Sequence, residues 1–185
     1  MKTIEAVSPQ IAVITHLAKR IDAGRLGRTS LMKLLYFLQE VKQVPLDYEF
    51  TLYSYGPFDS GVLSDLGTAE SLQAVRSDVE LFSGGYRYKI QGGPEAEEYL
   101  KRGDAFLRQY REQIDWVVEN FAKDSPSDLE LLSTIAYADR NAEDAPLDRE
   151  RLSSLVHGIK PKFPISYIGE KIDRLAGQGL LVNFQ

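Results

Sequence analysis

The residues that could do chemistry are few. His16 and His157 are the only imidazoles in 185 residues, and there is no cysteine. Thiolate nucleophiles, thiolate metal sites and disulfides are thereby removed. A histidine-based hydrolase or a zinc site needs a second ligand or base at defined spacing. No HExxH, GxSxG, P-loop or GxGxxG pattern supplies one. His16 sits in an apolar helical run and reads as core filling. His157 precedes Gly158 and reads as a helix C-terminal cap. The acidic pairs Glu97-Glu98 and Glu143-Asp144 lie in polar stretches and read as solubilising. The chain is therefore not expected to be an enzyme, and no metal, nucleotide or other cofactor is expected.

Aromatic residues offer a different chemistry. Tyr48, Phe50, Tyr53, Tyr55 and Phe58 fall within eleven positions. In Tyr55-Gly56-Pro57-Phe58, Gly56 permits a sharp turn and Pro57 presets φ for a helix start. Such a turn can be an elbow with Tyr55 and Phe58 packed inside. It can equally be a contact surface, because alternation along a strand over 48–55 would send Tyr53 and Tyr55 to one face with Glu49 and Thr51. Interfaces favour polar-lined faces that bear tyrosine. Tyr53, Tyr55, Gly56, Pro57 and Phe58 are accordingly the candidate partner-binding residues.

The cations suggest an alternative. A net charge of −5 argues against a dedicated nucleic-acid binder. A basic turn nevertheless holds Lys19, Arg20, Arg25, Arg28 and Lys33 against Asp22. Towards the C-terminus, Lys160, Lys162, Lys171 and Arg174 face only Glu170 and Asp173. Arg25, Arg28, Lys160, Lys162, Lys171 and Arg174 are the candidate phosphate contacts. The last helix, however, opens on Ser166-Tyr167 and carries Glu170 and Asp173, which suit phosphates badly.

The elements that must position these residues follow from periodicity. Ser8-Pro9 opens a helix over 9–23, and Thr29 or Ser30 caps a second, largely buried one over 30–43. A strand over 48–55 leads into a short helix to Leu66, and Gly67-Thr68 restarts another through Val75. Residues 79–82 and 86–90 flank Ser83-Gly84-Gly85 as a β-hairpin. Residues 95–122 read as one helix that Gly103 can split. Ser127 and Asp148 cap two further helices, a third covers 165–176, and 180–184 reads as a final strand. The expected fold is α+β, mostly helical, with winged-helix-like units and a hairpin wing. It divides into an N-terminal unit (1–93), a connecting helix (94–123) and a C-terminal helix-turn-helix-like unit (124–185) in one compact body.

Lys33-Leu34-Leu35-Tyr36-Phe37-Leu38-Gln39, followed by Tyr55-Gly56-Pro57-Phe58, resembles the YwgA-like family of uncharacterised bacterial proteins. Residues 159–163 and 175–181 also look like that family's tail, so this resemblance covers most of the chain. More distantly, the first half resembles the SocA-like (Panacea) antitoxin domain, which shows a similar Lys-Leu-Leu-Tyr helix and Tyr-Gly-Pro turn. The first resemblance implies a fold without an activity. The second implies a protein that binds and neutralises another protein, and neither brings catalytic residues. The expected function is a protein-interaction or regulatory module of the antitoxin-like or adaptor kind, its partner another protein such as a toxin, or a second copy of the chain. The alternative is a winged-helix DNA-binding regulator. Met1–Gln10 lacks a basic segment before an apolar run, and no stretch approaches the roughly 20 apolar residues of a membrane span. A cytoplasmic chain without membrane contact is expected.

Overall fold

The computed structural model describes residues 7–22, 24–143 and 146–185. Most of the leader reading at Met1–Gln10, the end of the expected first helix at Ala23, and Asp144 of the acidic pair lie outside the described residues. Helix α1 (Pro9–Arg20) begins on the Ser8-Pro9 signal: the Ser8 hydroxyl accepts the Ile11 N–H and Pro9 occupies the first turn. Helix α2 (Arg28–Tyr36) runs into a π-turn over Phe37–Val41. Its cap position is Gly27, not Thr29 or Ser30, which both fall inside the first turn. The continuous burial from Ser30 to Leu38 matches the largely buried helix that the sequence implies.

The next segment departs from expectation. Strand β1 is Thr51–Tyr53 and pairs antiparallel with β2, Gly56–Phe58, so the turn residues are Ser54 and Tyr55. The tripeptide Gly56-Pro57-Phe58 is thus a strand and not a helix start. Helix α3 (Ser60–Ser71) is capped by Asp59, whose carboxylate accepts the Gly61 N–H, and it runs unbroken through Gly67. The hairpin of β3 (Val75–Phe82) and β4 (Gly85–Gly92) turns at Ser83-Gly84, with its register fixed by Val79 opposite Tyr88 and Leu81 opposite Tyr86.

The expected helix over 95–122 is three: α4 (Ala96–Arg102), α5 (Asp104–Gln109) and α6 (Arg111–Phe121). Gly103 forms the junction of α4 and α5 and lies close against α1, where a Cβ would come 2.3 Å from the Ala12 Cβ, so the position requires glycine. Helix α7 (Pro126–Arg140) is capped by Ser125, two residues before the expected Ser127, with Pro126 in its first turn. Asp148 caps α8 (Arg149–Ile159) as expected, and α9 spans Ile165–Gly177. The strand expected over 180–184 reduces to one parallel bridge, Leu147 to Phe184.

The fold is α+β and mostly helical, with two small antiparallel hairpins. The first hairpin packs on α2 and α7, and the second leans on α1 and α3, with α2 beside them. One apolar cluster draws on Leu17, Leu35 and Ile90, on Val117 and Phe121, and on Leu132, Val156 and Ile172. It therefore crosses all three sequence segments. No described helix is long and apolar enough to cross a membrane.

Candidate functional site

The Tyr55-Gly56 turn is held from beneath by buried charge. Lys33 on α2 is 2% exposed, and its ammonium donates to the Pro57 carbonyl at 2.6 Å. Lys160, just past α8, donates to the Ser54 carbonyl and to Glu130 on α7, the latter at 2.8 Å. Lys162 reaches the other Glu130 oxygen at 2.9 Å. Burial raises the Glu130 pKa, but the hydrogen bonds from Lys160 and Lys162 outweigh it and hold this carboxyl below its ordinary value. Lys33 pairs with no carboxylate among the described residues. Burial lowers its ammonium to about 8, although the Glu130 charge works the other way. Gly56 has φ +88°, and a Cβ there would lie 3.0 Å from the Thr134 hydroxyl oxygen on α7. No other residue fits that position without strain.

These bonds fix a tip whose two tyrosines part company. Tyr53 is 64% exposed and Tyr55 69%. Because Ser54 and Tyr55 form the turn, the expected alternation does not extend to Tyr55. Tyr53 packs on half-buried Phe58, with ring centroids 5.4 Å apart, beside a depression that also holds Asp47, Glu49, Asp59 and Asp65. Tyr55 turns to the other side, into a cleft of about 720 Å³ with Arg25, Arg28, Tyr86, Tyr88 and Lys123. Gly56 and Pro57 are buried and belong to the support of the turn. The five candidate partner-binding residues thus do not share one surface.

The cleft joins residues that the sequence assigned to different partners. Arg28 lies over the Tyr88 ring at 3.5 Å, and Arg25 donates to the Lys123 carbonyl at 3.2 Å. Neither arginine, nor Lys123, pairs with a carboxylate among the described residues. Asp124, the one acid lining the cleft among the described residues, is bound bidentately by Arg174 at 2.8 and 2.9 Å. Arg87 is engaged by Glu80. Above the cleft stands the second hairpin. One of its faces carries Val79, Leu81, Tyr86 and Tyr88, and the other a charged ladder of Asp78, Glu80, Arg87 and Lys89. Val79 is exposed to 57%, Leu81 to 81% and Tyr86 to 63%.

The cations near the C-terminus are occupied within the molecule. Lys160 and Lys162 serve Glu130, Lys171 pairs with Asp128 at 3.0 Å, and Arg174 binds Asp124 and the Asn120 carbonyl. Of the six candidate phosphate contacts, Arg25 and Arg28 alone stand in a cleft without a carboxylate partner among the described residues. Lys123, Leu81 and Tyr86 were not singled out by the sequence. The period-two match of 79 and 81 with 86 and 88 across Ser83-Gly84 is the signal that exposes the last two.

The histidines hold no constellation. His16 is half-buried near Arg20, Arg111 and Asp115, and burial followed by the Arg20 charge lowers its pKa. His157 Nδ1 lies 2.9 Å from the Phe163 carbonyl, so it tethers a loop and does not cap α8, which continues through Gly158 to Ile159. Among the described residues no three His, Asp or Glu side chains gather as a metal site. No family model matches the chain, and no curated protein matches it.

Proposed function

We propose that this chain is a protein-interaction module of the antitoxin-like or adaptor kind, and that it docks an acidic, apolar segment of another protein in the cleft between its two hairpins. One observation carries the reading: Tyr55, Tyr86 and Tyr88 line the same cleft as three cations that lack carboxylate partners among the described residues, and exposed Val79 and Leu81 extend the tyrosine face of the hairpin beside it. Aromatic anchors supply large, stiff apolar area, and the cations select the sign of the partner. The mechanism is occlusion or recruitment, since nothing in the cleft offers a nucleophile–base pair. The resemblance of the Lys33–Gln39 helix and the Tyr55–Phe58 turn to antitoxin domains agrees with it.

The winged-helix regulator reading keeps Arg25 and Arg28, joined by Lys123, but its C-terminal cations are spent on internal acids. Selection of a random-peptide display library on immobilised protein separates the two. Peptides rich in Asp, Glu and aromatics are expected to enrich on the wild type and to disappear on a Leu81→Asp, Tyr86→Ala variant of unchanged melting temperature. Absence of enrichment, together with duplex DNA binding that weakens steeply with salt, would overturn the docking reading in favour of the regulator.

A further inference from the structure

We propose that the first turn of α2 is a phosphate-monoester site. Within the helix the first amide to find an acceptor is that of Leu31, which donates to the Gly27 carbonyl at 2.9 Å. The amides of Arg28, Thr29 and Ser30 precede it, have no acceptor among the described residues, and receive no side-chain cap. Such a helix end favours an anion. A second feature is independent of the helix end. Ser30 lines the cleft and is 2% exposed, yet among the described residues its hydroxyl has no hydrogen-bond partner, and the buried Arg28 Nε has none either. Buried polar atoms are rarely left so, because each forfeits its bonds to water.

The chemistry of the anion follows from the charge it meets, since three cations balance a dianion better than the single charge of a carboxylate. A phosphate monoester brings three terminal oxygens and a charge of about −1.5 to −2. Arg25, Arg28 and Lys123 balance that charge without an opposing free acid, because Asp124 is held by Arg174. Tyr55 and Tyr86 leave room beside the site for the apolar body of whatever carries the phosphate. This site does not depend on the docking reading, since a small phosphate needs no protein partner.

The test is a titration of the whole 15N-labelled protein, followed by amide resonances, with inorganic phosphate, a phosphoserine peptide and adenosine monophosphate against sodium chloride of equal ionic strength. Saturable shifts are expected at Arg28, Thr29 and Ser30 with each phosphate and not with chloride. A tighter midpoint for the peptide or for the nucleotide identifies the carrier; equal midpoints for all three overturn the monoester assignment. Ser30→Ala should keep the fold and weaken binding roughly tenfold, the value of one hydrogen bond to a charged group. Shifts no larger than those with chloride, or a Ser30→Ala titration identical to wild type, would overturn the site.

Discussion

The two hairpins solve the same problem in opposite ways. In the first, three residues pair with three, and an exposed turn is anchored from beneath, where Ser54 and Pro57 carbonyls meet lysine ammonium groups and buried Gly56 packs against α7. In the second, eight residues pair with eight, and the ladder satisfies itself. It is tied to the body near its base, where Ile90 is buried and donates to the Leu26 carbonyl at 2.8 Å. The short hairpin needs buried charge to stay put, while the long one is free to project an apolar face. Stability is therefore expected to reside in the first and binding in the second.

The sharpest break should come at Glu130. Glu130→Ala strands buried Lys160 without a counter-charge and leaves Lys33 and Lys162 as uncompensated neighbours. A loss of about 3–5 kcal/mol is expected in urea denaturation. A loss below 1 kcal/mol would show that the clamp does not hold the turn.

Next comes the pH dependence of Lys33. Its folded pKa of about 8 lies below the ordinary 10.5. Between these values the unfolded chain binds more protons than the folded one, so stability rises with pH and is lost again as pH falls through 8. The full effect is on the order of 3 kcal/mol. Burial raises the pKa of Tyr36 and Tyr48 and opposes the gain once the unfolded tyrosines begin to ionise near pH 10. The clean window is thus about pH 8 to 9.5. Lys33→Met should flatten the slope of denaturation free energy there, and an unchanged slope would assign it to other groups.

Gly56→Ala combines a left-handed φ with the Thr134 contact and should cost about 1–3 kcal/mol. Gly85, at φ +132° with open space around it, offers the matching position in the second hairpin. Smallest in stability is Tyr86→Ala, at about 0.2–1 kcal/mol for the lost cross-strand pair with Leu81. It should nonetheless abolish peptide enrichment. Were Tyr86→Ala to unfold the protein and Glu130→Ala to abolish only binding, the assignment of roles to the two hairpins would reverse.

Helix positions were legible because Ser8-Pro9, Asp148 and the apolar period at 31–38 act locally. The second hairpin was legible for the same reason, with turn residues between alternating runs. The first was not. Pro57 after Gly56 reads as a helix start, but it pairs with Leu52 as a strand, and its carbonyl is bonded by a lysine 24 positions away. The division of Tyr53 from Tyr55 followed from that misplaced turn. Likewise Lys160, Lys162, Lys171 and Arg174 form a basic set in the chain, and only tertiary pairing with Glu130, Asp128 and Asp124 shows them occupied. The cleft itself, which brings residues 25–30, 55, 86–88 and 123 together, has no local signature.

Residues 42–50 contain no helix or strand, yet Val44, Leu46 and Tyr48 are buried at every second position. The Gln39 side chain, on the π-turn, behaves towards Tyr48 as a neighbouring strand would: its carbonyl accepts the Tyr48 N–H at 2.8 Å and its NH₂ donates to the Tyr48 carbonyl at 2.7 Å. One side-chain amide thus stands in for a peptide group. In deuterated water the Tyr48 amide should exchange as slowly as those of β4 near Ile90, while Glu49, one residue on, is held by a carboxylate at the surface and should exchange much sooner. A Gln39→Leu change, nearly equal in volume, should release that single proton first.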